Sequence, residues 1–233
     1  MFIHDKRLQF EARPSAPDAL YARKLQELLG GAWGEVTVAM QYLMQGWNCR
    51  GPAKYRDMLL DIGTEELAHI EMLSTMIARL LEGAPLAQDD AAQNPLLMAA
   101  MGGMDVQQAI VSGLGPTLSD SNGYPWNGRY IVASGNLLAD FRANLAAESQ
   151  GRVQAVRLYE MTDDPGVREM LSFLIARDSM HQNQWIAAIA DLEAEGVDTT
   201  PVPASFPRDL QYEPVAYQFI NCSGGEESSQ GRW

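Results

Sequence analysis

From Tyr55 onward the chain carries Tyr55, Leu59, Ile62, Glu66, His69, Leu73, Met76 and Leu80 at alternating steps of four and three residues. A second series, Val167, Leu171, Leu174, Asp178, His181, Trp185, Ile189 and Leu192, advances in nearly the same way. Steps of this kind place all members on one face of a helix, the face that turns to a core. Each seam is apolar at its ends and polar at its middle. The interruptions are Glu66-x-x-His69 and Asp178-x-x-His181, an acid and an imidazole three residues apart on a face that should be dry.

Punctuation extends these seams into four helices. The first is predicted from about Asp18 to Gly46, after Pro14 and Pro17, with Glu35 mid-helix among small residues. The second begins near Pro52-Ala53 and runs to about Leu81, with Gly83 as its stop. The third starts near Ser134, read as an N-cap, and reaches about Met161. The fourth opens at Asp164-Pro165, a capping residue followed by proline at the first helical position, and ends before Gly196.

Between the two pairs, residues from about 83 to 133 are rich in turn formers, with a short helix expected from Asp105 to about Val111. One long crossover between helix pairs suits an all-α, ferritin-like four-helix bundle. The expected domain is residues 1–196, including an N-terminal segment 1–17, followed by an extended tail 197–233. That tail is proline-rich, yet it also has Tyr212, Tyr217, Phe219 and Ile220, so it should pack on its own or a neighbouring subunit.

The formal charge of −13 opposes nucleic-acid binding, which needs a basic face. No apolar run approaches membrane-spanning length, and no apolar run follows the charges of the first residues as in a secretory signal. Cys49 and Cys222 lack a framework spacing and read as reduced thiols, so a cytoplasmic location is expected.

The polar middles therefore need a reason. Glu66 follows Glu35 by 31 residues, and Asp178 follows Glu148 by 30, as in a duplicated helical hairpin. Unpaired buried charges cost several kcal/mol each, whereas a Glu-x-x-His on each of two helices with a further Glu from each of two others is a dinuclear metal ligand set. Three glutamates and two imidazoles suit manganese or iron more than copper. Glu66 is placed to bridge, leaving Glu35 with His69 on one ion and Glu148 with His181 on the other. Asp178, one methylene shorter than Glu, reads as a neighbouring carboxylate that moves protons. As a ligand instead, it would give four carboxylates, as in di-iron oxidases. Glu65 and Glu71 read as solvated helix faces, and His4 has no assigned partner. Met98, Met101 and Met104 read as core filling.

The run Tyr55-Arg56-Asp57-Met58-Leu59-Leu60-Asp61-Ile62-Gly63-Thr64-Glu65-Glu66-Leu67-Ala68-His69-Ile70-Glu71 resembles the signature helix of the manganese catalases. So do Ser119–Gly128, Gly135-Asn136-Leu137 and Arg177-Asp178-x-x-His181-Gln182, and the likeness covers nearly the whole chain. The resemblance implies a non-haem catalase that disproportionates hydrogen peroxide to water and dioxygen, its two manganese ions cycling between divalent and trivalent states. It implies Glu35, Glu66, His69, Glu148 and His181 as ligands, with Tyr42 hydrogen-bonded on the Glu35 side. It further implies a homohexamer with intertwined tails and, in some cases, calcium, for which Asp57, Asp61, Asn221, Ser223 and Gly225 are oxygen-bearing candidates. Ala147 departs from relatives that carry a basic residue there.

Two other readings differ in testable ways. A ferritin-like di-iron oxidase would need Asp178 as a ligand. A metal-storage or coat-forming shell protein would turn over negligible peroxide.

Overall fold

The structure, a computed structural model, describes residues 3–83 and 107–195. Its helices are α1 (Ala19–Gly30), α2 (Glu35–Asn48), α3 (Ala53–Leu81), α4 (Leu137–Glu160) and α5 (Pro165–Ala194). Short helical turns lie at Gln107–Val111 and Gly128–Tyr130, and no strand occurs among the described residues. The fold is all-α. Helix α2 packs along α3, α4 packs along α5, and α1 continues along the far half of α3.

Most helix ends follow from local chemistry. Asp18 accepts a hydrogen bond from Tyr21 N at 2.9 Å, and Asp164 accepts one from Val167 N at 3.0 Å with Pro165 behind it. Helix α4 starts later than its sequence suggested. Asn136, not Ser134, caps it by accepting from Ala139 N, while Ser134 Oγ donates to Asp140 at 2.6 Å. Gly135, at φ 80°, makes the turn between them.

The expected first helix is two helices. It breaks over residues 31–34, where Gly31 and Gly34 have extended backbone, and glycines here allow close backbone approach. A Cβ on Gly30 would meet Ser119, and one on Gly34 would lie 2.7 Å from the carbonyl oxygen of Leu28. Glu35 is consequently the first residue of α2 rather than mid-helix, where the helix N-terminus favours negative charge.

Two apolar clusters fill the bundle. One joins α1 to Met72–Leu81 of α3, the end of α4 and the start of α5. The other joins α2 to Tyr55–Ile62 of α3, the start of α4 and Trp185–Leu192 of α5. The polar middles of the seams lie between them along each helix. The described crossover is pinned to the first arm of the bundle: Gln26 Nε2 donates to Thr117 O and Ser119 O, and Gln26 Oε1 accepts from Thr117 N. Of the expected 105–111 helix, Gln107–Val111 forms a π-helical turn. Residues 105–106, Met98, Met101, Met104, Cys222 and the tail lie outside the described residues.

Candidate metal centre

Five side chains from four helices meet in the polar layer. Glu35, Glu66 and His69 offer donor atoms within 4.8 Å of one another, and so do Glu66, Glu148 and His181. Glu66 belongs to both groups. All five residues are buried, His69 and His181 completely. Glu66 Oε2 is 2.6 Å from His69 Nδ1, and Glu66 Oε1 is 2.8 Å from His181 Nδ1. Glu35 Oε2 stands 3.7 Å from His69 Nδ1, and Glu148 Oε1 stands 3.5 Å from His181 Nδ1. The two rings lie nearly parallel, with centroids 5.8 Å apart.

Both imidazoles thus turn Nδ1 toward the carboxylates and Nε2 away. On the far side is Glu65, half-buried rather than on a solvated face as its sequence position suggested. Its Oε2 is 3.2 Å from His181 Nε2 and its Oε1 3.6 Å from His69 Nε2. Arg177 holds the same carboxylate with two hydrogen bonds, Nε to Oε1 at 2.6 Å and Nη2 to Oε2 at 2.9 Å. Gln9, from the segment before α1, donates to Oε1 at 2.7 Å. Glu65 and Arg177 were legible only as a pair: each sits one residue before a seam position, on helices that face one another.

Tyr42 does not serve the Glu35 side. Its hydroxyl donates to Glu148 Oε1 at 2.7 Å, because α2 runs past α4 at this level. Next to it, Gln41, Gln45 and Asn144 form a buried hydrogen-bond cluster that also grips the backbone of Val132 in the crossover. Asp178 is buried, and among the described residues its carboxylate has no hydrogen-bond partner and joins neither donor group. Ala147 is buried in apolar surroundings. Asp57 and Asp61 are exposed on α3, Asp57 beside Arg56 at 3.2 Å, and Asn221, Ser223 and Gly225 lie outside the described residues. His4 Nε2 lies 2.9 Å from Glu71 Oε1 at the exposed surface.

The electrostatics are those of a layer short of positive charge. Burial and the neighbouring Glu66 push Glu35 well above the usual carboxylate range, and burial with Glu66 raises Glu148 too. Burial, Glu148 and Glu66 do the same to Asp178. Burial would lower both histidines, but the surrounding carboxylates reverse it, raising His69 well above its ordinary value and pushing His181 up to about 12. Against the pull of burial, the imidazoles hold Glu66 well below the carboxylate range. Burial is likewise overcome at Glu65 by the hydrogen bonds it accepts from His181, Arg177 and Gln9 and by the nearby His69 ring. Without a metal cation in the layer, the crowded carboxylates favour the protonated form of both imidazoles.

The donors fit a metal pair. Glu66 Oε1 and His181 Nδ1 are buried without a properly directed hydrogen bond, although they stand 2.8 Å apart. Two donors facing one point without a bond between them is the arrangement an ion between them would satisfy. Oxygen and imidazole donors suit manganese or iron.

The whole chain, residues 1–233, matches the family model for manganese containing catalase. The chain belongs to the manganese catalase family. A manganese catalase from Bacillus subtilis is 60% identical over 100% of this chain and 85% of that protein. One from Lactiplantibacillus plantarum is 46% identical over 98% of this chain and 85% of its own length. The crystal structure of KatB, a manganese catalase from Anabaena PCC7120, superposes with a TM-score of 0.79 at 27% identity, covering 100% of this chain and 94% of that one. The family's ferritin-like fold agrees with the helix pairing described above.

Proposed function

We propose that this protein is a manganese catalase that disproportionates hydrogen peroxide to water and dioxygen, with two manganese ions per chain held by Glu35, Glu66, His69, Glu148 and His181. One observation carries the assignment of the pair: Glu66 belongs to two overlapping donor groups, each with its own histidine and its own second glutamate. When bound, the metal pair supplies two-electron redox capacity, accepting electrons from one peroxide and returning them to another. The chain does the rest. Glu66 would be shared by the two ions, and Glu35 and Glu148 would each add a carboxylate to one of them. Tyr42 holds Glu148 Oε1 in one orientation. Asp178, buried beside the centre and free of hydrogen-bond partners among the described residues, takes up and returns the protons that peroxide bond cleavage requires. The two apolar clusters on either side exclude bulk water.

The di-iron oxidase reading has less support, since Asp178 stands outside both donor groups. No described donor group supports calcium. Assembly into a hexamer remains part of the proposal on family grounds. Among the described residues no helix is long and apolar enough to cross a membrane.

The test is oxygen evolution from hydrogen peroxide, without added reductant, by protein loaded with manganese or with iron. Rapid evolution from the manganese form alone, at about two metal ions per chain by elemental analysis, is expected. Turnover only with iron and a reductant would support the oxidase instead.

A further inference from the structure

Glu65 and Glu66 are consecutive on α3, yet they serve opposite edges of the same two rings. Glu66 touches both Nδ1 atoms, at 2.6 and 2.8 Å. Glu65 faces both Nε2 atoms, at 3.6 and 3.2 Å, using a different oxygen for each. We propose that Glu65, locked by Arg177, is a positioning residue shared by the two histidines, accepting Nε2–H from both and so presenting both Nδ1 lone pairs to the metal positions.

The chemistry follows from the imidazole. A neutral ring carries one N–H, and the hydrogen bond at one nitrogen decides which atom is left to ligate. A carboxylate acceptor behind a ligating histidine fixes the ring and raises its basicity. Such an acceptor usually serves one ring. Here the planar fork of Arg177 holds both oxygens of Glu65 in place, as lysine could not, so that each is aimed at a separate ring. Gln9 adds a third donor from outside the bundle and limits rotation of the carboxylate. His69 Nε2 has no hydrogen-bond partner among the described residues, which leaves Glu65 Oε1 as the acceptor facing it. Removing Glu65 therefore weakens both metal positions together.

This inference rests on the dinuclear reading of the site, and the experiment separates the two. Wild type, Glu65→Ala, Glu65→Gln and Arg177→Ala are titrated with Mn(II) against a chelating indicator, and the loaded proteins are examined by electron paramagnetic resonance. Wild type is expected to bind two ions with the signal of a coupled pair. Glu65→Ala should lose about 10–100-fold in affinity at both positions. Glu65→Gln keeps one acceptor oxygen and turns an amide N–H toward the other ring, so its titration should split into a stronger and a weaker phase and its coupled signal should fade. Arg177→Ala should weaken binding less than Glu65→Ala. If Glu65→Ala fails to fold, the near-isosteric Glu65→Gln decides alone.

A purely structural Glu65–Arg177 bridge between α3 and α5 would lower thermal stability and leave Mn(II) affinity and the resonance signal unchanged. That result overturns the proposal while leaving the dinuclear centre standing. A wild type that binds fewer than two ions overturns the dinuclear reading, and this one with it.

Discussion

Tyr42 and Glu148, on α2 and α4, are joined by a 2.7 Å hydrogen bond in which the phenol donates to Oε1. The ring is fully buried against Trp185, with centroids 5.0 Å apart, so the hydroxyl has little freedom to turn elsewhere. A buried donor to a carboxylate contributes more than a neutral pair, about 1.5–3 kcal/mol. Tyr42→Phe keeps the ring and removes only the donor. Glu148 should then be free to rotate, and oxygen evolution should show kcat reduced several-fold with KM little changed and two manganese ions retained. An unchanged kcat would mean that Glu148 is oriented without the phenol.

Some of this arrangement was legible in the sequence, and the reason is local. Helices α3 and α5 declare themselves because their caps, their seams and the acid–His pairs within them depend on residues a few positions apart. The break between α1 and α2 does not. Gly30 has to be glycine partly because Ser119 passes against it, and no local pattern records that approach. Glu65 was hidden for a related reason. It lies one position off the seam, where an acid ordinarily meets water, and only Arg177 on another helix makes it part of the centre. The resemblance put Tyr42 on the Glu35 side, but its partner is Glu148, which depends on how α2 passes α4 and is not encoded locally.

Glu66 is the side chain common to both donor groups. Glu66→Ala should remove the bridge and also leave both Nδ1 atoms without their nearest carboxylate. Elemental analysis after manganese loading should fall from about two ions per chain to well below one, with oxygen evolution lost. Glu66→Gln is the control for space. It fills the same volume with a weaker ligand and should likewise fail to hold the pair. Two ions in either variant would remove Glu66 from the bridging role.

Asp178 separates binding from turnover. It stands outside both donor groups, so Asp178→Asn should bind manganese as wild type does. The amide cannot take up and return a proton, and general acid–base groups typically contribute about 10²–10⁴-fold. A fall in kcat of at least tenfold, at full metal content, is the expected result. Full activity would discard the proton-carrying role, and lost metal would make Asp178 a ligand after all.

Gly30 links the crossover to the centre at a distance. A Cβ there would come within 2.7 and 2.8 Å of Ser119 C and N, backbone atoms that cannot swing aside as a side chain end could. Ser119 is itself held, its carbonyl accepting from Gln26 Nε2 at 2.9 Å and its backbone bridged to Pro125. Gly30→Ala must therefore displace either the crossover or the end of α1. Overpacking of this kind costs about 1–3 kcal/mol. Five residues on is Glu35, so a displaced α1 end would carry that carboxylate with it. The variant should unfold at lower temperature in both metal-free and manganese-loaded forms. It should also bind one manganese ion less tightly than the other, because Glu148 and His181 are anchored elsewhere. If Gly30→Ala matches wild type in both melting and metal titration, the crossover does not press on α1 as closely as the backbone geometry requires.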